Sequence, residues 1–329
     1  MVKTKKLKLL VTGAAGFLGY EVSRQLSKGG YRPRLMYRSR GEDCEICKLD
    51  ADMVLANLRE PKSLQKAVNG VDGIIHLGAR ATFESYETLK PSIMDGSIAL
   101  MEEGIKAGVR LFVFSSSLLV YSGSASIITA DSQPNPAIDY GHIKADTEKR
   151  LSEMAATAGI CFASLRLPHI YGVRDLYFRQ LQAGRLILPG LGKNIYTHLH
   201  VYDAAAAIIA CAEQNYSGIL PFGDQLPSSW ASFQKVAQKY YPKSGVLLLP
   251  QWLAQLSMVL LSPFQNILPY SGLETPDAVR AYNFNLAVDP DLLWKDLGLK
   301  PRYANIYQGI PAAVASGEEG HKDLHIPNF

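Results

Sequence analysis

The feature that most constrains this chain is a glycine-rich turn, GAAGFLG, at residues 13–19. An apolar run at 7–12 precedes it and an amphipathic stretch at 18–28 follows it. Glycines let a backbone turn tightly and approach a pyrophosphate, while the N-terminus of the following helix offers free amides and the positive end of its dipole. A plain tight turn would also use glycine, but the flanking strand and helix favour a dinucleotide-binding turn. The residues predicted to contact the cofactor there are Gly13, Gly16, Phe17, Leu18 and Gly19.

Short apolar runs and amphipathic stretches alternate over the first 170 residues. The runs lack the period-two pattern of half-exposed strands, as expected when helices cover both faces of a sheet. This alternation predicts an α/β fold, a doubly wound parallel (Rossmann) sheet with a smaller C-terminal lobe. The predicted strands are 7–12, 34–37, 73–77, 110–115, 160–165 and 218–222, and the predicted helices are 18–28, 62–68, 92–107, 140–158, 203–214 and 230–241. The predicted domains are a dinucleotide-binding domain over 1–167, rejoined by about 195–224, and a substrate-binding lobe over 168–194 and 225–329.

Charge and cysteine content limit the partners. The 34 Lys and Arg against 30 Asp and Glu give a net charge of +4, and they are too dispersed for a nucleic-acid footprint. Four cysteines in 329 residues are too few for a disulfide framework and predict a reducing, cytoplasmic location. Cys44 and Cys47 form one CxxC pair, but no second ligand pair accompanies them, so we predict no metal site.

A stretch without any charged residue covers 244–273. Its length approaches that of a membrane span, but Pro250, Gln251 and Gln255 interrupt it with groups that a spanning helix tolerates poorly. A membrane-surface contact through 246–264 and a buried lid or substrate wall both remain open, and we expect the wall. Its predicted lining residues are Trp252, Leu256 and Phe264.

The end of the second predicted strand bears on the choice of cofactor. An acidic side chain at this place binds ribose hydroxyls, whereas an arginine receives a 2′-phosphate. Residues 35–40 contain no carboxylate, and Arg38, together with Arg40 or Ser39, is predicted to meet the extra phosphate. A solvated loop arginine is the alternative. We therefore expect NADP(H), with NAD as the second choice.

A serine-ended strand and a later tyrosine-lysine pair predict the chemistry. Ser117 ends the run 114–117, and Tyr140 and Lys144 are four residues apart on a predicted helix, so both face the same cleft. An ammonium beside a phenol should lower the pKa of the phenol, which suits a general acid and base for a carbonyl or alcohol. Ser117 can donate to the same oxygen. Such a pair alone is common by chance, but after a dinucleotide turn it predicts a catalytic site.

In chain order, VTGAAGFLG, IIHLGA, FVFSSSLLVY, YGHIK and RLPHIYG resemble the extended short-chain dehydrogenase/reductase family, the NAD-dependent epimerase/dehydratase superfamily. The resemblance implies that Tyr140 exchanges the proton, Lys144 binds the nicotinamide ribose, and Ser117 positions the substrate oxygen. It also implies a further set of residues along the cofactor: Asn57, Leu58, Gly78, Ala79, Ser115, Leu167 and Pro168.

Departures from the family pattern refine the expected substrate. Nucleotide-sugar epimerases and dehydratases usually carry an asparagine and an arginine for the pyrophosphate where this chain has His169 and Tyr196. A diphosphate would lose its bidentate partner there. Ile93 likewise replaces a family asparagine, which weakens any four-residue catalytic scheme. The sequence is therefore more similar to the 3β-hydroxysteroid dehydrogenase and dihydroflavonol reductase branch.

This branch implies a bulky, apolar ketone or alcohol as the small-molecule substrate, with Ser117, His169 and Tyr196 beside it. His198 and His200 are spaced as alternate residues of a strand would be, a spacing more typical of packed or capping histidines than of metal ligands. A nucleotide-sugar epimerase or dehydratase, a non-catalytic cofactor-binding protein and a homodimer all remain open at this point.

Overall fold

The structure is a computed structural model that describes residues 6–38, 45–123, 126–172, 174–261 and 275–320. Four residues named above, Ser39, Arg40, Cys44 and Phe264, lie outside the described residues. The strands are β1 Leu9–Thr12, β2 Arg34–Tyr37, β3 Asp52–Leu55, β4 Gly73–His76, β5 Leu111–Ser117, β6 Cys161–Leu167, β7 His169–Tyr171, β8 Arg185–Pro189, β9 Ile195–Tyr196, β10 His198–His200, β11 Gly218–Pro221, β12 Ser228–Ser229 and β13 Gly245–Leu249. The helices are α1 Phe17–Lys28, α2 Pro61–Val68, α3 Tyr86–Lys106, α4 Asp139–Ala158, α5 Leu176–Gln182, α6 Val201–Glu213, α7 Trp230–Gln238, α8 Gln251–Leu261, α9 Pro276–Tyr282, α10 Leu292–Asp296 and α11 Ile306–Gly320.

A seven-stranded parallel sheet in the order β11-β6-β5-β4-β1-β2-β3 organises the larger part of the chain. The predicted doubly wound fold is confirmed. The chain leaves β1 toward one edge of the sheet and later returns through β4 toward the other, so the strand order reverses between β1 and β4. A crevice opens at the carboxyl ends of strands at such a reversal. Thr12 pairs with His76 in register at that place.

Helices cover both faces of this sheet because its inner strands are apolar on both sides. Leu9 and Val11 of β1 belong to the hydrophobic cluster that contains residues of α1 and α6, and Leu10 belongs to the cluster beneath α2, α3 and α4. The three side chains are fully buried. Alternate residues of one strand thus enter opposite layers, which explains the missing polar alternation in the sequence.

The smaller lobe is built mainly from the chain between β6 and β11 and from the chain after β11. Its strands form three two-stranded sheets, β10 with β7, β12 with β9, and β13 with β8. An aromatic cluster holds it together, including Tyr171, Phe178, Trp230 and Phe233. The element β11 returns from this lobe to pair with β6, so the sheet contains strands from both sides of the inserted segment.

The predicted substrate wall is wrong at two of its residues. Trp252 is 67% exposed and Leu256 is 47% exposed, because α8 presents this side to solvent and buries the opposite side at Ala254. Neither residue therefore lines an enclosed pocket. Among the helices that the structure describes, none combines the length and the apolar character needed to cross a membrane.

Candidate active site

The glycine turn lies at the switch point between β1 and β4. Gly13 has a φ of +66°, a left-handed conformation that favours glycine, and a Cβ there would lie 2.8 Å from the amide nitrogen of Gly78. A Cβ at Gly19 would overlap the carbonyl oxygen of Gly13. At Gly16 the nearest atom would be 3.1 Å away, again the Gly13 oxygen. The turn is therefore packed tightly beneath Gly13 and Gly19 but has more room at Gly16.

The start of α1 fits a pyrophosphate. Gly16 is its N-cap, no side chain caps it, and its first turn contains no acidic residue. Phe17 and Leu18 occupy the first two helical positions. The first amides of a helix have no intrahelical acceptor, so they can donate to an anion here.

Five of the predicted cofactor-binding residues lie along the neighbouring strand ends. Arg38 is exposed directly after β2. Asn57 uses its side chain within its own loop, donating to Glu60 at 3.0 Å and accepting from the Arg59 amide at 3.1 Å. Leu58 lies against α3, where a Cβ at Gly96 would come within 2.8 Å of it. Leu58 is also near Gly78, which the exposed Ala79 follows.

A buried polar network beneath the crevice was not anticipated. Thr12 Oγ1 lies 2.6 Å from His76 Nδ1, and His76 Nε2 lies 2.8 Å from Ser97 Oγ. The amide of Gly78 donates to Thr12 Oγ1 at 3.1 Å. Burial, with a smaller contribution from the charge of Lys144, lowers the pKa of His76 to about 3. The neutral imidazole therefore ties β1, β4 and α3 together. Its only sequence signal is a histidine ending an apolar run.

Lys144 lies on α4 and reaches the end of β5. Its ammonium donates to the carbonyl oxygen of Ser115 at 2.8 Å and lies 4.8 Å from the Phe114 ring centroid and 5.7 Å from that of Tyr140. Burial lowers the pKa of Lys144 to about 8, although the carboxylate of Glu148 opposes this shift. Ser115 Oγ in turn donates to the carbonyl of His76 at 3.2 Å. The structure thus brings Lys144, Ser115 and Tyr140 together.

Tyr140 and Ser117 differ from expectation in detail. Burial raises the pKa of Tyr140, so the expected lowering by Lys144 is wrong in this structure. Desolvation of the phenolate outweighs the ammonium, which stands over the ring. Ser117 ends β5 and its side chain accepts from the Leu119 amide at 3.1 Å, capping the short turn that follows.

A buried ion pair supports the face of α4 that carries Tyr140 and Lys144. Glu148 lies four residues beyond Lys144 and accepts from Arg166 Nη2 at 2.9 Å, while Arg166 Nη1 donates to Tyr121 at 2.6 Å. Ser164 donates to the same carboxylate at 2.8 Å. The continuing four-residue spacing after Tyr140 and Lys144 could have pointed to Glu148, but no sequence pattern joined it to Arg166.

A group of aromatic and histidine side chains lies near Tyr140. His169 follows Leu167 and Pro168 at the end of β6, and its Nδ1 lies 3.0 Å from His198 Nδ1. The ring of Trp230 lies 4.7 Å from that of His169 and 5.3 Å from that of Tyr196. Tyr140 packs against the hydrophobic cluster that contains Tyr196 and Trp230, which connects this group to the face of α4 that carries Tyr140. We call His169, Tyr196, His198 and Trp230 the aromatic wall.

The histidines of this region are uncharged at neutral pH. Burial lowers the pKa of His169 to about 3 and that of His198 well below its usual value. His200 caps α6, accepting from the Tyr202 amide at 3.1 Å, which agrees with the interpretation of His200 as a capping residue. The aromatic wall therefore contains no positive charge.

Several known proteins are similar to this chain. A family model described as "NAD dependent epimerase/dehydratase family" matches residues 9–220. Ceramide reductase of Caulobacter vibrioides is 30% identical over 219 residues, 65% of this chain and 63% of that protein. Sterol-4-alpha-carboxylate 3-dehydrogenase, decarboxylating, of Dictyostelium discoideum is 26% identical over 221 residues, 63% of this chain and 67% of that protein. The solved structure of DesIV, a dTDP-glucose 4,6-dehydratase from Streptomyces venezuelae, superposes with a TM-score of 0.78 at 20% identity, covering 96% of this chain and 98% of that one.

Proposed function

This chain belongs to the NAD-dependent epimerase/dehydratase family, and from that premise we propose that it interconverts a secondary alcohol and a ketone on a bulky lipophilic metabolite, using NADP(H). The nicotinamide, when bound, supplies or accepts the hydride. The residues proposed to hold the cofactor are those of the glycine turn, the strand-end residues beside it, and Lys144.

The proposed roles follow from the geometry around α4. Tyr140 would exchange the proton with the substrate oxygen, because its ring lies beside the Lys144 ammonium and its raised pKa keeps it protonated as a donor. Lys144, held by the Ser115 carbonyl, would orient the cofactor and place a positive charge near the phenol. Ser117, at the end of β5, would donate to the same oxygen once its hydroxyl turns toward substrate.

The uncharged aromatic wall next to Tyr140 is the observation that best supports a lipophilic substrate. Binding sites for apolar molecules are lined by aromatic and aliphatic side chains with few polar groups. A nucleotide diphosphate instead requires cations or amide donors around its phosphates. The two relatives above are named for a ceramide and for a sterol carboxylate, which supports the same substrate class.

A competition experiment tests this proposal. Purified protein with NADPH is assayed against long-chain and polycyclic ketones, and UDP-glucose and dTDP-glucose are titrated as inhibitors. We expect turnover of at least one ketone class and no inhibition by either nucleotide sugar. The variant Tyr140→Phe controls for non-enzymatic reduction. Micromolar nucleotide-sugar binding without ketone turnover would assign the site to the epimerase and dehydratase branch instead.

A further inference from the structure

One helix of the smaller lobe has its apolar side facing solvent. Its exposed residues are Trp252, Leu253, Leu256, Val259 and Leu260, and their spacing places them on one side of α8. The small residue Ala254 is the buried one, at 2% exposure. The usual polarity of a surface helix is therefore inverted. We call these five residues the outer stripe.

The neighbouring two-stranded sheet continues the apolar surface. Ile187 of β8 and Leu247 of β13 are register partners, so their side chains lie on the same face of the sheet, and both are exposed. The strand β13 leads through Pro250 into α8. We call the outer stripe and this pair together the apolar face, which holds more exposed apolar side chains than scattered surface leucines would give.

Basic residues outnumber acidic ones in this part of the chain. The ranges 176–202 and 225–273 contain six basic residues and no acidic residue, which is more positive charge than the whole chain's net +4. The side chains of Lys193, Lys235, Lys239 and Lys243 are exposed. The helix α9, which packs against α8, carries Asp277 with its ion-pair partner Arg280, so the apolar face belongs to a part of the lobe in which basic residues are in surplus.

We propose that this face docks on a membrane surface containing anionic phospholipids. The outer stripe would enter the boundary between headgroups and acyl chains, and the lysines would contact phosphate groups, the arrangement by which amphipathic helices lie in an interface. A second copy of the chain fits this face less well, because pairing two such lobes would bring their lysines together. The proposal does not depend on the substrate proposed above.

Trp252 gives a direct measurement of this docking. The chain has three tryptophans, and the other two, Trp230 and Trp294, are only 7% and 3% exposed. Vesicles of equal parts phosphatidylcholine and phosphatidylglycerol should shift the fluorescence emission to the blue, and brominated acyl chains should quench it. The variant Trp252→Phe should lose this signal while still sedimenting with the vesicles.

Charge variants provide the matched comparison. Lys239→Glu with Lys243→Glu should weaken sedimentation with these vesicles by at least roughly tenfold, since each basic residue near an anionic surface contributes about fivefold. Lys62→Glu with Lys149→Glu changes the net charge equally on α2 and α4 and should have little effect. Equal losses in both pairs would overturn the proposal, because general charge would then suffice.

A variant of the stripe separates a lipid surface from a protein partner. Val259→Asp should abolish vesicle binding, whereas Ile127→Asp, at an unrelated position that is 59% exposed, should not. Sedimentation velocity without lipid should give the same monomeric or oligomeric state for the wild type and for Val259→Asp. The proposal fails if the wild type ignores anionic vesicles, or if Val259→Asp dissociates an oligomer instead.

Discussion

At the scale of single residues, Tyr140 carries the proposed chemistry. Replacing Tyr140 with Phe removes the hydroxyl but keeps the ring that stands beneath the Lys144 ammonium and near Phe83. We expect turnover to fall by about 10²-fold or more, with cofactor affinity nearly unchanged. Lys144→Ala should impair both, since Lys144 also anchors β5. Steady-state kinetics with cofactor titration measure the two effects, and turnover within about tenfold of wild type would remove Tyr140 from this role.

Arg38 is the residue on which the cofactor preference depends. Its exposed side chain comes directly after β2, and residues 35–38 contain no carboxylate that could bind ribose hydroxyls. A charge-assisted phosphate contact at such a site contributes roughly 1.5–3 kcal/mol, so Arg38→Ala should weaken NADP binding about ten- to a hundredfold. NAD binding should change little. Calorimetric titration of both cofactors decides this, and equal losses for NADP and NAD would mean that Arg38 only stacks on adenine.

At the scale of elements, the glycine turn offers two substitutions with opposite expected effects. Gly16 has a φ of −73° and comparatively open surroundings, so Gly16→Ala should alter the free energy of unfolding by less than about 1 kcal/mol. It should still weaken cofactor binding, because the added methyl keeps a pyrophosphate from the backbone.

Gly19→Ala should instead destabilise the fold by about 1–3 kcal/mol, because its methyl overlaps backbone rather than a movable side chain. Urea unfolding and cofactor titration of both variants measure the contrast. If Gly16→Ala binds cofactor normally, the pyrophosphate does not pass over this turn.

The sequence predicted the central sheet well because a buried strand flanked by helices has a strong local pattern. The strand β2 was predicted with its exact bounds, and the family resemblance is confirmed. It missed β3, an edge strand whose Asp52 is half-exposed and paired with Arg32, so its apolar pattern is broken. It also began α3 at residue 92 rather than Tyr86, because Pro91 lies inside the helix and resembles a helix boundary.

The site was predictable where its residues are adjacent in sequence and hidden where only tertiary contacts assemble it. Tyr140 and Lys144 share one helix face, so their spacing revealed them. His76 meets Thr12 and Ser97 only through strand pairing and a packed helix. The exposure of Trp252 could not be predicted either, since an apolar run does not state which side a helix buries.

For the whole molecule, buried ionisable groups predict the response to acid. Burial lowers the pKa of His76 and His169 to about 3 and of His200 to about 4, and it lowers that of His198 strongly. Below about pH 6.5 these four histidines are protonated in the unfolded chain but remain neutral in the folded protein. Burial raises the pKa of Asp175 to about 7 and of Asp224 to about 8. These two carboxyls are therefore protonated in the folded protein and lose their protons on unfolding, which is opposite to the uptake by the histidines.

Near pH 5 these six groups leave a net uptake of about two protons on unfolding, and stability should fall by about 2.7 kcal/mol for each pH unit lost. Between about pH 7 and 8 the two carboxyls lose protons on unfolding, while the histidines and Lys144, whose pKa burial lowers to about 8, take protons up, so this upper limb should be nearly flat and stability should change by less than about 1 kcal/mol. Urea unfolding at pH 5 to 8 measures both limbs. Asp224→Asn should steepen the acid limb by about one proton, and an acid limb without slope would mean that the histidines are already charged in the folded state.

The return of β11 to the sheet also has a consequence for synthesis. Strand β6 ends at Leu167, and its partner β11 begins only at Gly218, after the intervening residues 168–217 have been made. Since a ribosome adds about 5–20 residues per second, the edge of β6 would remain without its partner strand for several seconds. During that interval the nascent sheet offers unpaired amides and carbonyls to any other extended chain. Nascent chains that stop before residue 218 should therefore aggregate or hold chaperones, and those that extend past 221 should be released.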